Sequence, residues 1–237
     1  MRPPTRDEAD GTPRDAGMGL AEVMVAMVLA GLVGTMVMTI AILTLKTTSG
    51  VQERLDNTTD GELAIAAAGK VLRTAVLPEQ LEDKSCIGCD DTAIVTATST
   101  QVTFYANIGD TTVGPSRVTL EVAEDPKHRG TAVLWQRTRQ PIKSGDSYTF
   151  CLTCPAQNRV LARGLLWPSP GVFSFYDYEG SLMPGATVTA ANLPRISSVD
   201  LVVTVQHKPG NRDYPPRTAV TRVRLPNVEI NVLTDQA

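Results

Sequence analysis

Four cysteines in two close pairs are the first residues whose spacing could do chemistry: Cys86-Ile87-Gly88-Cys89 and Cys151-Leu152-Thr153-Cys154. Two CxxC pairs can supply the four thiolates of a tetrahedral zinc site, close as disulfides, or form a redox-active dithiol. No strand-helix-strand pattern surrounds either pair, so the redox reading is the weakest. The 61 residues between the pairs exceed common zinc-ribbon spacing, while disulfides persist only where the chain leaves the reducing cytoplasm. Disulfides and a structural zinc both remain open on the residues alone, and both are structural rather than catalytic. The other residue that attracts notice is Glu22, a carboxylate at the head of an uncharged apolar run.

That run, Val23 to Leu45, has 23 consecutive residues with no charge, and only Thr35, Thr39 and Thr44 carry polar side chains. At 1.5 Å rise per residue it makes about 34 Å of helix, enough for a hydrocarbon layer of roughly 30 Å. It is longer than a signal-peptide core and no A-x-A site closes it, so retention as a membrane span is expected. Arg2, Arg6 and Arg14 precede the span and Lys46 and Arg54 follow it; this balance leans towards a cytoplasmic amino terminus. A carboxylate inside a span costs several kcal/mol unless it is paired or reaches the interface. Glu22 therefore either marks the interface or has a partner.

The segment Asp15-Ala16-Gly17-Met18-Gly19-Leu20-Ala21-Glu22-Val23 resembles the amino-terminal signature of type IV prepilins and pseudopilins. Gly17 matches the residue before the cut, Leu20 the usual Leu, and Glu22 the acidic fifth residue of the mature chain. Met18 stands in place of the common Phe, and the leader has four acids against three arginines, less basic than usual. The resemblance implies removal of residues 1–17 by a prepilin peptidase, N-methylation of Met18, and assembly with other pilins or pseudopilins on an inner-membrane platform. It also supplies Glu22 with a counter-charge, the free amine of Met18 on a neighbouring subunit. Looser similarity, in Val102–Asn107, Val172–Gly180 and Ile196–Val205, points to the J-like or pilus-assembly W-like minor pseudopilins.

Beyond the span, residues 46–77 carry apolar positions at Val51, Leu55, Leu63, Ala66, Ala67, Val71, Leu72, Ala75 and Val76. Their mostly 3–5-residue spacing predicts an amphipathic helix that packs one face on a domain, ended by Pro78. Thr47–Gly50 and Asn57–Gly61 are weak helix formers, leaving open a bent or interrupted helix or a continuous one of roughly 60 residues and 90 Å. From residue 78 the period becomes two. Strands are predicted at Thr92–Ala97, Gln101–Ala106, Arg117–Ala123, Thr131–Thr138, Val160–Leu166, Val172–Tyr178, Ser198–His207 and Ala219–Leu225. No helical stretch separates them, so the expected class is α+β: a long helix on an antiparallel sheet. The expected organisation is a leader 1–17, a membrane or filament-core helix 18–45, an exported helix 46–77 and a β-rich domain 78–237.

Enzyme chemistry is not expected. The two histidines, His128 and His207, sit among turn residues and charges, and no phosphate-binding loop, nucleophile elbow or metalloprotease motif occurs. With 22 basic and 25 acidic side chains the net charge is -3, and leader, helix and domain each net -1. No basic face and no nucleic-acid partner follow from these totals; Arg137 with Arg139 and Arg222 with Arg224 are the candidate local patches. Apart from the zinc alternative, no cofactor is expected. The expected role is a structural, assembly-initiating minor pilin or pseudopilin of a pilus or secretion filament. The competing expectation is a signal-anchored protein whose extracytoplasmic β-domain serves as a binding or sensor module.

Overall fold

The computed structural model describes residues 19–80, 85–168, 171–206, 208–210 and 215–228. The leader 1–17, Met18 and His207 lie outside the described residues. The chain divides between Ser49 and Gly50 into an N-terminal helical unit and a β-rich domain.

One helix, α1 (Leu20–Leu72), runs through both units. It is continuous through the weak helix formers Thr47–Gly50 and Asn57–Gly61. The threonines there satisfy their hydroxyls within the helix: Thr47 Oγ1 donates to Leu43 O at 2.9 Å, Thr48 Oγ1 to Thr44 O at 2.9 Å and Thr58 Oγ1 to Arg54 O at 2.8 Å. A side chain bonded back to its own helix no longer competes with it for backbone partners. The helix ends at Leu72, not at Leu77 as expected. Past that point the sheet captures the chain: Ala75 bridges to Ala106, Val76 N donates to Tyr105 O at 2.9 Å, and Asn107 N donates to Thr74 O at 2.8 Å.

All eight expected strands are present, as β1 (Ile94–Ala97), β2 (Gln101–Ala106), β3 (Ser116–Glu124), β4 (Thr131–Arg139), β7 (Gln157–Leu166), β8 (Phe173–Tyr176), β9 (Ser198–Val205) and β10 (Arg217–Arg224). A small hairpin, β5 (Ile142–Ser144) and β6 (Ser147–Thr149), was not expected. Its strands are too short for a visible period, although Gly145-Asp146 between them is a two-residue turn signal, and Gly145 adopts the required positive φ of 64°. The large sheet has the order β1-β2-β3-β4-β7-β9-β10, and β8 also pairs with β9. Every pairing among the ten named strands is antiparallel.

The α+β class follows from one packed face of this sheet. Val102, Phe104, Val118, Leu120, Leu134, Val199, Leu201, Val203 and Val205 form its core with Ala64, Ala68 and Leu72 of α1. The buried helix positions Asn57, Gly61, Ala64, Ala68 and Leu72 recur every three or four residues and are mostly small. Small size allows close approach: a Cβ on Gly61 would lie 3.3 Å from Ala219 Cβ, and one on Gly69 3.2 Å from Val223 Cγ2. A second cluster lies on the other face at β2, where Phe150 meets Tyr105 at a tilt and Tyr148 edge to face, with ring centroids 5.7 and 5.8 Å apart. Tyr148 is buried and donates to Pro78 O at 2.6 Å. Gly114 leaves the space that its ring fills, since a Cβ there would come within 2.8 Å of Tyr148 Cε1.

Candidate functional site

The N-terminal half of α1 carries a long row of exposed aliphatic side chains. It is long and apolar enough to cross a membrane, with none of its most hydrophobic 18-residue window buried. Met24 is 63% exposed, Met36 59% and Ile40 64%. The polar side chains in the run do not interrupt this surface, because Thr35, Thr39 and Thr44 donate to Leu32 O, Thr35 O and Ile40 O at 2.8–2.9 Å. Exposing so many large aliphatics to water would be strongly unfavourable at about 25 cal/mol per Å². Lipid or other apolar helices must cover them.

Glu22 occupies the first turn of α1. Gly19 O accepts from Glu22 N at 2.9 Å and from Val23 N at 3.2 Å, so the helix opens at Gly19. Its carboxylate is exposed and has no ion-pair partner among the described residues. Free N–H groups and the positive end of the helix dipole favour an acid here. Gly17 and Met18, the expected processing positions, lie outside the described residues.

The cysteines are joined within each pair: Cys86 with Cys89, Cα atoms 5.5 Å apart, and Cys151 with Cys154, 5.3 Å apart. They are not gathered into one tetrahedral set, and among the described residues no group of three His, Cys, Asp or Glu side chains is placed to hold a metal ion. What links the two loops is backbone pairing beside them. Ile87 N donates to Tyr148 O at 2.8 Å and Tyr148 N to Ser85 O at 3.1 Å, which adds residues 85–87 to the β5–β6 hairpin as a parallel third strand. The disulfides thus bracket a three-stranded patch over the Tyr105–Tyr148–Phe150 cluster. A cavity of about 410 Å³ beside it is lined by Leu77, Pro78, Glu79, Cys86 and Asp90, among others.

The sequence placed arginines in possible basic patches, and the structure pairs Arg137 and Arg222 with acids. Arg137 meets Glu121 at 2.9 Å across β3 and β4. Arg222 makes a bidentate pair with Asp200 directly opposite on β9, at 2.6 and 2.8 Å, and lies 3.8 Å over the Tyr176 ring. Hydrogen bonding from Arg222 holds the Asp200 carboxyl below its ordinary value. Arg139 donates to Leu152 O at 3.3 Å instead of facing outwards as a free cation.

Asp125, in the β3–β4 turn, is a feature the sequence did not single out. It is 2% exposed and accepts from Lys127 N at 2.9 Å and Arg163 Nη1 at 3.2 Å, with His128 Nδ1 also at 3.2 Å. The Lys127 backbone N–H leads in lowering its pKa, with the contact to His128 next. The only signal for it was an Asp-Pro dipeptide at a turn. His128 is exposed and serves this turn, as its sequence context suggested. No protein-family model and no curated protein sequence matches this chain.

Proposed function

We propose that the chain is a minor pilin or pseudopilin, a structural and assembly-initiating subunit of a type IV pilus or type II secretion-like filament. A prepilin peptidase cuts after Gly17, Met18 is methylated, and the protein waits in the cytoplasmic membrane with its β-domain outside. Incorporation then replaces lipid around the apolar half of α1 with the helices of other pilins on the assembly platform.

One observation carries the reading: a single uninterrupted helix begins at Leu20, beside the Gly17-Met18-Gly19-Leu20-Ala21-Glu22 signature, exposes its aliphatic first half and packs its small-residue second half on an antiparallel sheet. A plain anchor needs no carboxylate at its head. A subunit that packs helix on helix does, because an unpaired acid in an apolar bundle is costly and the amine released by cleavage can neutralise it. Glu22 lacks an ion-pair partner among the described residues, as that role requires.

Mass spectrometry of the mature amino terminus tests this directly. N-methyl-Met18 is the expected result; an intact Met1, or a cut beyond the span, overturns it in favour of a signal-anchored binding module. A second test follows from the charge argument. Glu22→Val should leave membrane insertion and cleavage intact but weaken incorporation, and normal incorporation removes the proposed role of Glu22.

A further inference from the structure

The two ends of the β-domain differ in charge among the described residues. At one end the β3–β4 turn places Lys127, His128 and Arg129 side by side, all exposed. The acid of this turn faces inwards. Asp125 is buried, with one oxygen accepting from Lys127 N at 2.9 Å and the other 3.2 Å from Arg163 Nη1. His128 N donates to Asp125 O and Thr131 N to His128 O, both at 3.2 Å, so the backbone of the turn is fixed and its cations project. Neither Lys127 nor Arg129 forms an ion pair among the described residues. The opposite end is acidic. Ala106 pairs with Ser116 and Arg117 with Arg139 there, and Asp110 and Asp146 lie in the loops beyond. Glu79, Asp90 and Asp91 line the cavity at the same end, where Asp90 N meets the Tyr105 hydroxyl. These five acids are exposed, with Arg73 and Lys143 as the exposed cations beside them.

The basic turn is tied to the first residues of α1 that belong to this domain. A Cβ on Gly130 would lie 3.4 Å from Pro209 Cβ, and the neighbouring Lys208 Nζ stands 2.9 Å from Glu53 Oε2. Glu53 follows Leu45, the end of the uncharged run, by eight residues of the same helix, which is about 12 Å. A headgroup layer takes up roughly 5–7 Å beyond the hydrocarbon. The remainder is within a Debye length, about 8 Å at physiological salt. The exposed acids near this end are Asp56, beside Arg54 on α1, and Glu124 at the end of β3, whereas Glu53 is held by Lys208.

We infer that Lys127 and Arg129, backed by Arg163, dock the β-domain on the anionic phospholipid headgroups of the membrane that holds residues 23–45. Each Lys or Arg kept near such a surface adds attraction. The acids of the far end are repelled by the same field, so it also sets which end faces the bilayer. The chain itself supplies the proximity, since the span and the turn are joined by so short a stretch of helix. This contact gives the subunit a resting position before assembly. It needs residues 23–45 to lie in a bilayer, but neither cleavage after Gly17 nor incorporation into a filament.

The test reconstitutes the full chain, with photo-crosslinking benzoylphenylalanine at position 128, into vesicles of phosphatidylcholine alone or mixed equally with phosphatidylglycerol. Chain that floats with the vesicles is irradiated, and lipid adducts are read by intact mass. Adducts are expected in the mixed vesicles and about tenfold fewer in phosphatidylcholine alone. The same probe at position 146 should give few in either. Lys127→Glu combined with Arg129→Glu should lower the yield in mixed vesicles about tenfold. Salt at about 1 M, where the Debye length is about 3 Å, should do the same without any change to the turn, and it serves if the double variant does not fold. Equal yields in the two kinds of vesicle, equal yields from positions 128 and 146, indifference to both charge reversal and salt, or adducts to protein in place of lipid overturn the inference. A chain that does not float overturns the membrane span together with it, whereas an unmethylated Met18 leaves it standing.

Discussion

The two halves of α1 form one continuous helix and differ in burial. In the first half large aliphatics point outwards all round and no described residue covers them. In the second half the chosen residues are small, and Gly61, Ala64, Ala68 and Gly69 are buried because the sheet lies directly against them. The more hydrophobic half is the more exposed one. Hydrophobicity therefore does not decide which part of this helix folds onto its own domain; side-chain size and spacing do. Leu, Val and Met all round cannot face one sheet without leaving the rest uncovered, whereas a stripe of Gly and Ala lets a helix sit close enough to bury its neighbours.

Three substitutions probe that contrast. The largest effect is expected from Val33→Arg, which places a charge at the middle of the apolar half and should cost about 2.5–3.5 kcal/mol of membrane insertion. Carbonate extraction would read that loss, while thermal unfolding of the β-domain should not change. Glycine substitutions compare the halves directly. Gly69→Val drives a side chain against Val223 and should destabilise the domain by about 1–3 kcal/mol; Gly31→Val meets nothing within 4 Å and should leave domain unfolding as it is. Equal effects at the two glycines would remove the distinction.

Each disulfide closes a short loop, with its cysteines three residues apart. Replacing either pair with serines should therefore cost about 2 kcal/mol by the loop-closure relation, less than a cross-link between the two loops would. Intact mass with and without reductant checks the premise: four free thiols with bound zinc would overturn the disulfide assignment.

The smallest expected effect is in the response to pH. Asp200 is held below its ordinary pKa, chiefly by hydrogen bonding from Arg222. The unfolded chain binds its proton first as pH falls, so this contribution is present above about pH 4 and is lost below it. Asp200→Asn should make acid unfolding shallower there. Burial raises Tyr148 in the opposite sense. Its contribution is complete below about pH 10 and declines as pH rises further. Tyr148→Phe should cost about 1 kcal/mol at neutral pH, by leaving Pro78 O without its donor, and should flatten the alkaline limb.

Much of this architecture was legible locally. The uncharged run of residues 23–45 announces its length to any reader of the sequence. The eight main strands follow from alternation, since a side-chain period of two needs no knowledge of partners. The end of α1 was not legible, because nothing in Arg73–Leu77 forbids helix. Ala75 and Val76 leave it only because β2 offers them partners. The β5–β6 hairpin was missed for a related reason: three-residue strands have no period, and the hairpin is held by Tyr148 in a cluster assembled from Tyr105 and Phe150.

At the candidate sites the division is sharper. The sequence by itself determined that an acid heads an apolar helix and that four cysteines lie in two close pairs, since both are facts of neighbouring residues. It also determined the alternation that makes one face of each strand apolar. Only the tertiary structure decided that each cysteine closes on its near partner, that Arg137 and Arg222 are neutralised by acids on adjacent strands, and that β7 comes between β4 and β9. Those outcomes depend on which distant segments meet. Contacts of that kind are set by the burial of the whole core rather than by the preferences of any short stretch.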